Sequence, residues 1–154
     1  MTKPSIILVP GSFARPEFYD PIVDVVKSHG YSIRALHLPS VGLEAGPVGP
    51  PPSMYDDAAF IAREVEKLAD EGNDILLVAH SYGGVPATES LKGLSKEERA
   101  KSGKAGGVVR LAYLTCLVPA VGSNSASVLA DVPEEARLEL KIDVRLRRSL
   151  HLSN

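Results

Sequence analysis

The sequence predicts an α/β protein, a mainly parallel sheet with helices on both faces. Three observations point there. The runs "SIILVP", "DILLVA" and "VVRLAYLTCLV" are apolar at nearly every position, as strands buried on both faces are. Stretches with apolar residues at helical spacing separate them. Proline or glycine closes most of the elements, and strands that alternate with helices are the pattern of parallel βαβ connections.

Taken in order, "SIILVP" is a β-branched strand ended by Pro10-Gly11. In the helix that follows, Asp20 is placed to cap, Pro21 suits the first turn, and Gly30 is the stop. Its apolar positions Ile22, Val23, Val25 and Val26 are expected to face inward. "YSIRALHLP" is the second strand, closed by Pro39. Residues 39–53, "PSVGLEAGPVGPPPS", hold too much proline and glycine for a helix or central strand and form an irregular loop. The next helix is expected from about Asp57 to Glu71, with Ile61, Val65 and Leu68 on one face, Glu64 and Lys67 toward solvent, and Gly72 at its end. "DILLVA" is the third strand. A helix from about Val85 to Leu94 follows, with Pro86 in its first turn. "SKEERAKSGKAGG" is expected to be a solvated connection, and "VVRLAYLTCLV" the fourth strand. In the tail, Leu138, Leu140, Ile142, Val144 and Leu146 alternate with polar residues as in a half-exposed strand, whereas "PEEARLEL" begins like a helix.

The 154 residues make one domain, 1–154, with no internal repeat. A formal charge of -2 gives no reason to expect nucleic acid or an anionic membrane as partner, so a small molecule is expected. The apolar run near the N-terminus is too short for a secretory signal or a bilayer span, and a cytoplasmic protein is expected. Cys116 is the one cysteine and is expected to be a buried, inert thiol.

The stretch "ILLVAHSYGG" carries the chemistry. Ala79-His80-Ser81-Tyr82-Gly83 fits the pattern G-x-S-x-G, with alanine as the small first residue, and it lies between an apolar strand and a helix. Such a sharp turn holds its serine in a strained conformation at the C-terminal edge of a sheet.

On these residues the chain resembles the α/β-hydrolase superfamily, in particular its small esterase and hydroxynitrile-lyase-like members. The resemblance runs over roughly residues 5–138. "ILVPGSF" is similar to the family's first core strand and oxyanion loop, "YSIRALHLPSVG" to the strand and loop that follow, "AHSYGG" to the nucleophile elbow, "VVRLAYLTCLVPAVG" to the next strand, and "DVPEEARL" to the entry into the cap. It implies Ser81 as nucleophile on a small ester or lactone, or in the related cyanohydrin cleavage, with no metal or organic cofactor. The backbone N–H of Tyr82 would be one oxyanion donor, and that of Ser12 or Phe13 the other. Each preplaced donor at a developing oxyanion is worth about 3 kcal/mol.

The family order Ser, then Asp or Glu, then His is where the resemblance thins. Fewer than half the residues follow Ser81, and the stretch after Pro119 is too short for a cap and the late strands, so the chain is expected to be C-terminally incomplete. His29 ends a helix, His37 ends the second strand at the active-site edge and is a candidate substrate contact, and His80 adjoins the nucleophile. Only His151 stands in the required order as a base, with Asp131 or Asp143 as its acid. Two function classes follow: a serine hydrolase of feeble activity, or a non-catalytic binding protein or remnant of the family. A nucleotide-binding fold is disfavoured, because "PGSFARP" has neither a P-loop lysine nor dinucleotide glycine spacing. Without later strands, the strand at 108–118 is expected to be an edge, covered by the tail or by a second chain in a homodimer.

Overall fold

In a computed structural model of the protein, residues 3–42, 50–130 and 132–133 are described. Four strands, β1 (Ser5–Val9), β2 (Ile33–Ala35), β3 (Asp74–His80) and β4 (Gly107–Leu114), form one parallel sheet in the order β2-β1-β3-β4. In β1 and β3, Ile7 lies opposite Leu77 and Val9 opposite Ala79. The register between β3 and β4 shifts once, because Ile75 faces Val108 while Leu76 faces Arg110, and the extra residue, Val109, is exposed. The chain steps from β1 to β2 in one direction and then returns to set β3 on the other side of β1. Strand order therefore reverses between β1 and β3, and a crevice opens beyond their carboxyl ends.

Helices cover both faces at the centre of the sheet, which is why β1 and β3 are nearly continuous apolar runs. Ile7 and Val9 of β1 with Ile75, Leu77 and Ala79 of β3 join Ile61, Val65 and Ala69 of α2 (Met54–Asp70) in one buried cluster. On the opposite face Ile6 and Ile33 cluster with Val23 of α1 (Asp20–Ser28), and Leu76 and Val78 are half-covered there. Fully burying each of the large aliphatic side chains is worth about 1.5–3 kcal/mol.

Local chemistry sets the helix ends, in places differently from the sequence expectation. Asp20 is the first residue of α1 and not its cap, because a 3-10 turn over Pro16–Tyr19 leads directly into it. Only the Val23 and Val26 stripe of α1 meets the sheet, while Ile22 and Val25 face out. The second helix begins at Met54 and not at Asp57. Ser53 caps it reciprocally: its hydroxyl accepts from Asp56 N–H at 3.4 Å and its N–H donates to Asp56 Oδ2 at 2.7 Å. Asp57 is left fully buried inside the helix.

After β3 the chain turns through Ser81–Gly83 into α3 (Gly84–Glu89), which is shorter than the expected helix to Leu94. The "SKEERAKSGKAGG" run is not merely a solvated connection. Its Ser95 caps α4 (Lys96–Lys101), and Arg99 within it is 3% exposed. Arg99 donates to Asp70 Oδ1 at 2.6 Å, to Gly106 O at 3.2 Å and to Ala105 O at 3.3 Å. Pairing of β4 ends at Leu114, short of the expected strand, and a helix α5 (Ser125–Ala130) follows. Asp131, Asp143, His151 and the conflicting tail pattern at 134–154 lie outside the described residues. Among the described residues no helix is long and apolar enough to cross a membrane.

Candidate active site

Ser81 follows the last residue of β3 and holds φ at 52°, in the left-handed region that a residue with a Cβ adopts only under constraint. The constraint is packing around two glycines. A Cβ on Gly83 would lie 2.5 Å from Pro10 O and 2.8 Å from Val9 O, so the turn can sit on the end of β1 only without a side chain there. A Cβ on Gly84 would meet Cys116 Cβ at 2.6 Å and Leu117 O at 2.7 Å. Ser81 O in turn accepts from Leu117 N–H at 3.1 Å, which ties the turn to the chain leaving β4. "SYGG" is thus a close-packing requirement from both neighbouring strands.

Across the crevice, the loop after β1 brings Gly11, Ser12 and Phe13 to the same place. A Cβ on Gly11 would lie 3.1 Å from Ser81 Cβ, so loop and turn touch. Phe13 also holds positive φ, 61°, and is 87% exposed. The loop closes with Ala14 N–H donating to Gly11 O at 3.3 Å. Among the described residues neither the Ser12 nor the Phe13 N–H donates to a backbone carbonyl. Ser12, Phe13, Ser40, Val41 and Tyr82 line a pocket of about 220 Å³ here. A larger cleft, about 470 Å³ among Glu66, Glu98, Arg99, Lys101, Ser102 and Lys104, lies where β4 begins, at the other end of the sheet.

Two hydrogen-bonded clusters hold these pieces, and sequence patterns had flagged neither. Asp57 accepts from Ser40 N–H at 3.0 Å, from Ser40 Oγ at 2.6 Å and from the Tyr82 hydroxyl at 2.9 Å. Burial raises the Tyr82 phenol well above the ordinary tyrosine pKa, and its hydrogen bond to Asp57 and that residue's charge push it further the same way. The Tyr19 hydroxyl accepts from Gly11 N–H at 2.9 Å and lies 2.8 Å from His80 Nδ1. Strand alternation explains that placement: His80 projects with Leu76 and Val78 toward α1, while Ala79 projects toward α2.

The base is the part the described residues do not bring to Ser81. His29 bonds Val25 O at 2.8 Å, His37 bonds Val41 O at 3.0 Å, and His80 bonds Tyr19. His37 is exposed on the loop beyond β2 and is not among the residues lining the pocket. The half-buried Cys116 thiol donates to Ala79 O at 3.0 Å, and burial pushes its pKa up, away from the thiolate. Among the described residues no group of three or more His, Cys, Asp or Glu side chains is placed to hold a metal ion.

A parallel sheet with its strand order reversed at the centre, and a serine held at positive φ on the turn after β3, define an α/β fold with a strained serine turn at the point of reversal. The chain belongs to the alpha/beta hydrolase family, whose sequence profile matches residues 6–152. It is 35% identical over 140 residues to a probable hydrolase of a Phoma species, covering 91% of this chain and 53% of that protein. It is 37% identical over 124 residues to the alpha/beta hydrolase nvfD of Aspergillus novofumigatus, covering 80% of this chain and 47% of that protein. The chain thus spans about half the length of the curated relatives it matches. Among solved structures, tomato methylketone synthase I in complex with 2-tridecanone superposes with a TM-score of 0.63 at 20% identity, over 84% of this chain and 46% of that one. At that identity the likeness is one of fold.

Proposed function

We propose that this chain carries the nucleophile and the oxyanion site of a serine hydrolase acting on small carboxylic esters or lactones. The observation that supports it most is the φ of 52° at Ser81, held on the turn at the point of strand reversal and against the Gly11 loop. Ser81 Oγ attacks the carbonyl carbon, and the electron pair moves onto the carbonyl oxygen. The N–H groups of Tyr82 and of Ser12 or Phe13 receive that charge. Collapse of the intermediate breaks the bond to the leaving alkoxide, which takes up the proton that the Ser81 hydroxyl gave up on attack, and water then releases the acid from the acyl-serine and returns a proton to Ser81 Oγ. No step calls on a metal or organic cofactor.

His151, with Asp131 or Asp143 beside it, is the candidate for moving those protons, and His37 is the candidate substrate contact at the rim. The three described histidines are each bonded elsewhere, which favours feeble turnover resting on charge stabilisation, on the order of 10³-fold over water. The same observation supports the second reading, a non-catalytic binding member of the family. The open edge of β4 is taken to pair with a second copy of the chain.

Turnover of p-nitrophenyl acetate by the wild type, Ser81→Ala and His151→Ala tests this. Feeble hydrolysis that disappears with Ser81→Ala and survives His151→Ala is expected. Robust hydrolysis lost with both variants would establish His151 as the base and refute the incomplete triad. Hydrolysis indifferent to Ser81→Ala would leave the binding reading.

A further inference from the structure

We propose that Asp57 is a positioning residue: its buried carboxylate locks the turn bearing Ser81 to the loop after β2, and thereby sets the Tyr82 N–H and one wall of the adjoining pocket. The side chain is 0% exposed, and a carboxylate so placed is costly unless both its oxygens are hydrogen-bonded. Here three donors use it, and they come from two separate segments. Ser40 gives its N–H and hydroxyl, and Tyr82 gives its hydroxyl. Hydrogen bonds to a charged acceptor are about twice as strong as neutral ones. Among the described residues no buried side-chain polar atom is left unpartnered, so the cluster is satisfied as built.

The position of the donors gives the lock its consequence. Tyr82 directly follows Ser81, so a phenol pinned at its far end limits how the Tyr82 backbone can tilt. Ser40 and Tyr82 both line the 220 Å³ pocket, together with Ser12 and Phe13. One carboxylate on α2, a helix that otherwise serves the core, therefore sets the distance between two walls of the pocket. A displacement of about 1 Å at a reacting group can cost on the order of 10²-fold in rate. The chemical consequence rests on Ser81 being the nucleophile; the lock itself does not.

Tyr82→Phe keeps the ring and removes one donor, Asp57→Ala removes the acceptor, and Asp57→Asn keeps the shape and can meet the same groups if the hydroxyls turn round. Two readouts apply to each: amide hydrogen exchange over residues 39–42 and 80–84, and kcat and KM for p-nitrophenyl acetate. Tyr82→Phe and Asp57→Ala are expected to speed exchange in both segments about tenfold and to lower kcat by about the same factor, with KM moving less than about twofold. Asp57→Asn is expected to stay near the wild type. Unchanged exchange in either segment would overturn the lock, and faster exchange with unchanged kcat would overturn its positioning role. If the wild type shows no Ser81-dependent turnover while Tyr82→Phe speeds exchange in both segments, the lock stands and the nucleophile assignment falls. Should Asp57→Ala fail to fold, Tyr82→Phe decides.

Discussion

Ser81 and Phe13 each hold a left-handed backbone that costs about 1–3 kcal/mol at a residue with a side chain, and they flank the same crevice. That strain persists because Gly83 and Gly84 allow β1 and the chain after β4 to close on the turn from both sides. Tyr82 adds a titratable mark of this packing. Its pKa is raised by burial and by Asp57, so the folded protein holds the phenolic proton more tightly than the unfolded chain does. The resulting stability is complete below the unfolded tyrosine pKa of about 10 and is lost as pH rises from there through the folded value. Melting temperatures followed from about pH 8 to 11 should therefore fall more steeply above pH 10 in the wild type than in Tyr82→Phe. Parallel curves would mean that Tyr82 is not held by Asp57 in solution.

Among the elements, α4 shows how charge can mislead a reading of sequence. "SKEERAKSGKAGG" looks solvated because most of it is charged, yet Arg99 turns inward to meet two carbonyls and Asp70. The legible signal was Ser95 with Glu98 three residues on, and the structure shows Ser95 Oγ accepting from Glu98 N–H at 3.2 Å. Ser53 and Asp56 carry the same signal two helices earlier, and it would have placed Asp57 inside the helix. The strands were legible because those at the centre of the sheet, β1 and β3, are covered on both faces and form nearly continuous apolar runs. Their lengths were not, since pairing stops where the backbone turns, at Ala35 and Leu114, and not where apolar residues run out. Arg99→Met removes bonds to Asp70 and to two carbonyls, and chemical denaturation should show a loss of about 2 kcal/mol. A variant as stable as the wild type would place Arg99 in solvent.

At the scale of the whole molecule, the sheet ends at β4 among the described residues. Leu94 O takes the Val108 N–H at 2.9 Å, and beyond that point β4 pairs with β3 alone among the described residues. Val109, Tyr113 and Leu114 are exposed on this strand. Exposed apolar edges pair, so light scattering at high concentration should report a dimer or larger species, and a monodisperse monomer would count against that. The site follows the same division. The Ser81 turn and the Gly11–Phe13 loop lie in short local stretches at the ends of β3 and β1, where the sequence motifs fall. The Asp57 and Tyr19 clusters join residues 8 to 61 positions apart and became visible only in the fold.

The most direct test is covalent. A fluorophosphonate is attacked at phosphorus by an activated serine with loss of fluoride, and peptide mass spectrometry locates the adduct without any knowledge of the natural substrate. If Ser81 is the nucleophile, one adduct forms, on the peptide that contains Ser81, and Ser81→Ala abolishes it. A folded protein that stays unlabelled at Ser81, or is labelled equally well in Ser81→Ala, would contradict the assignment.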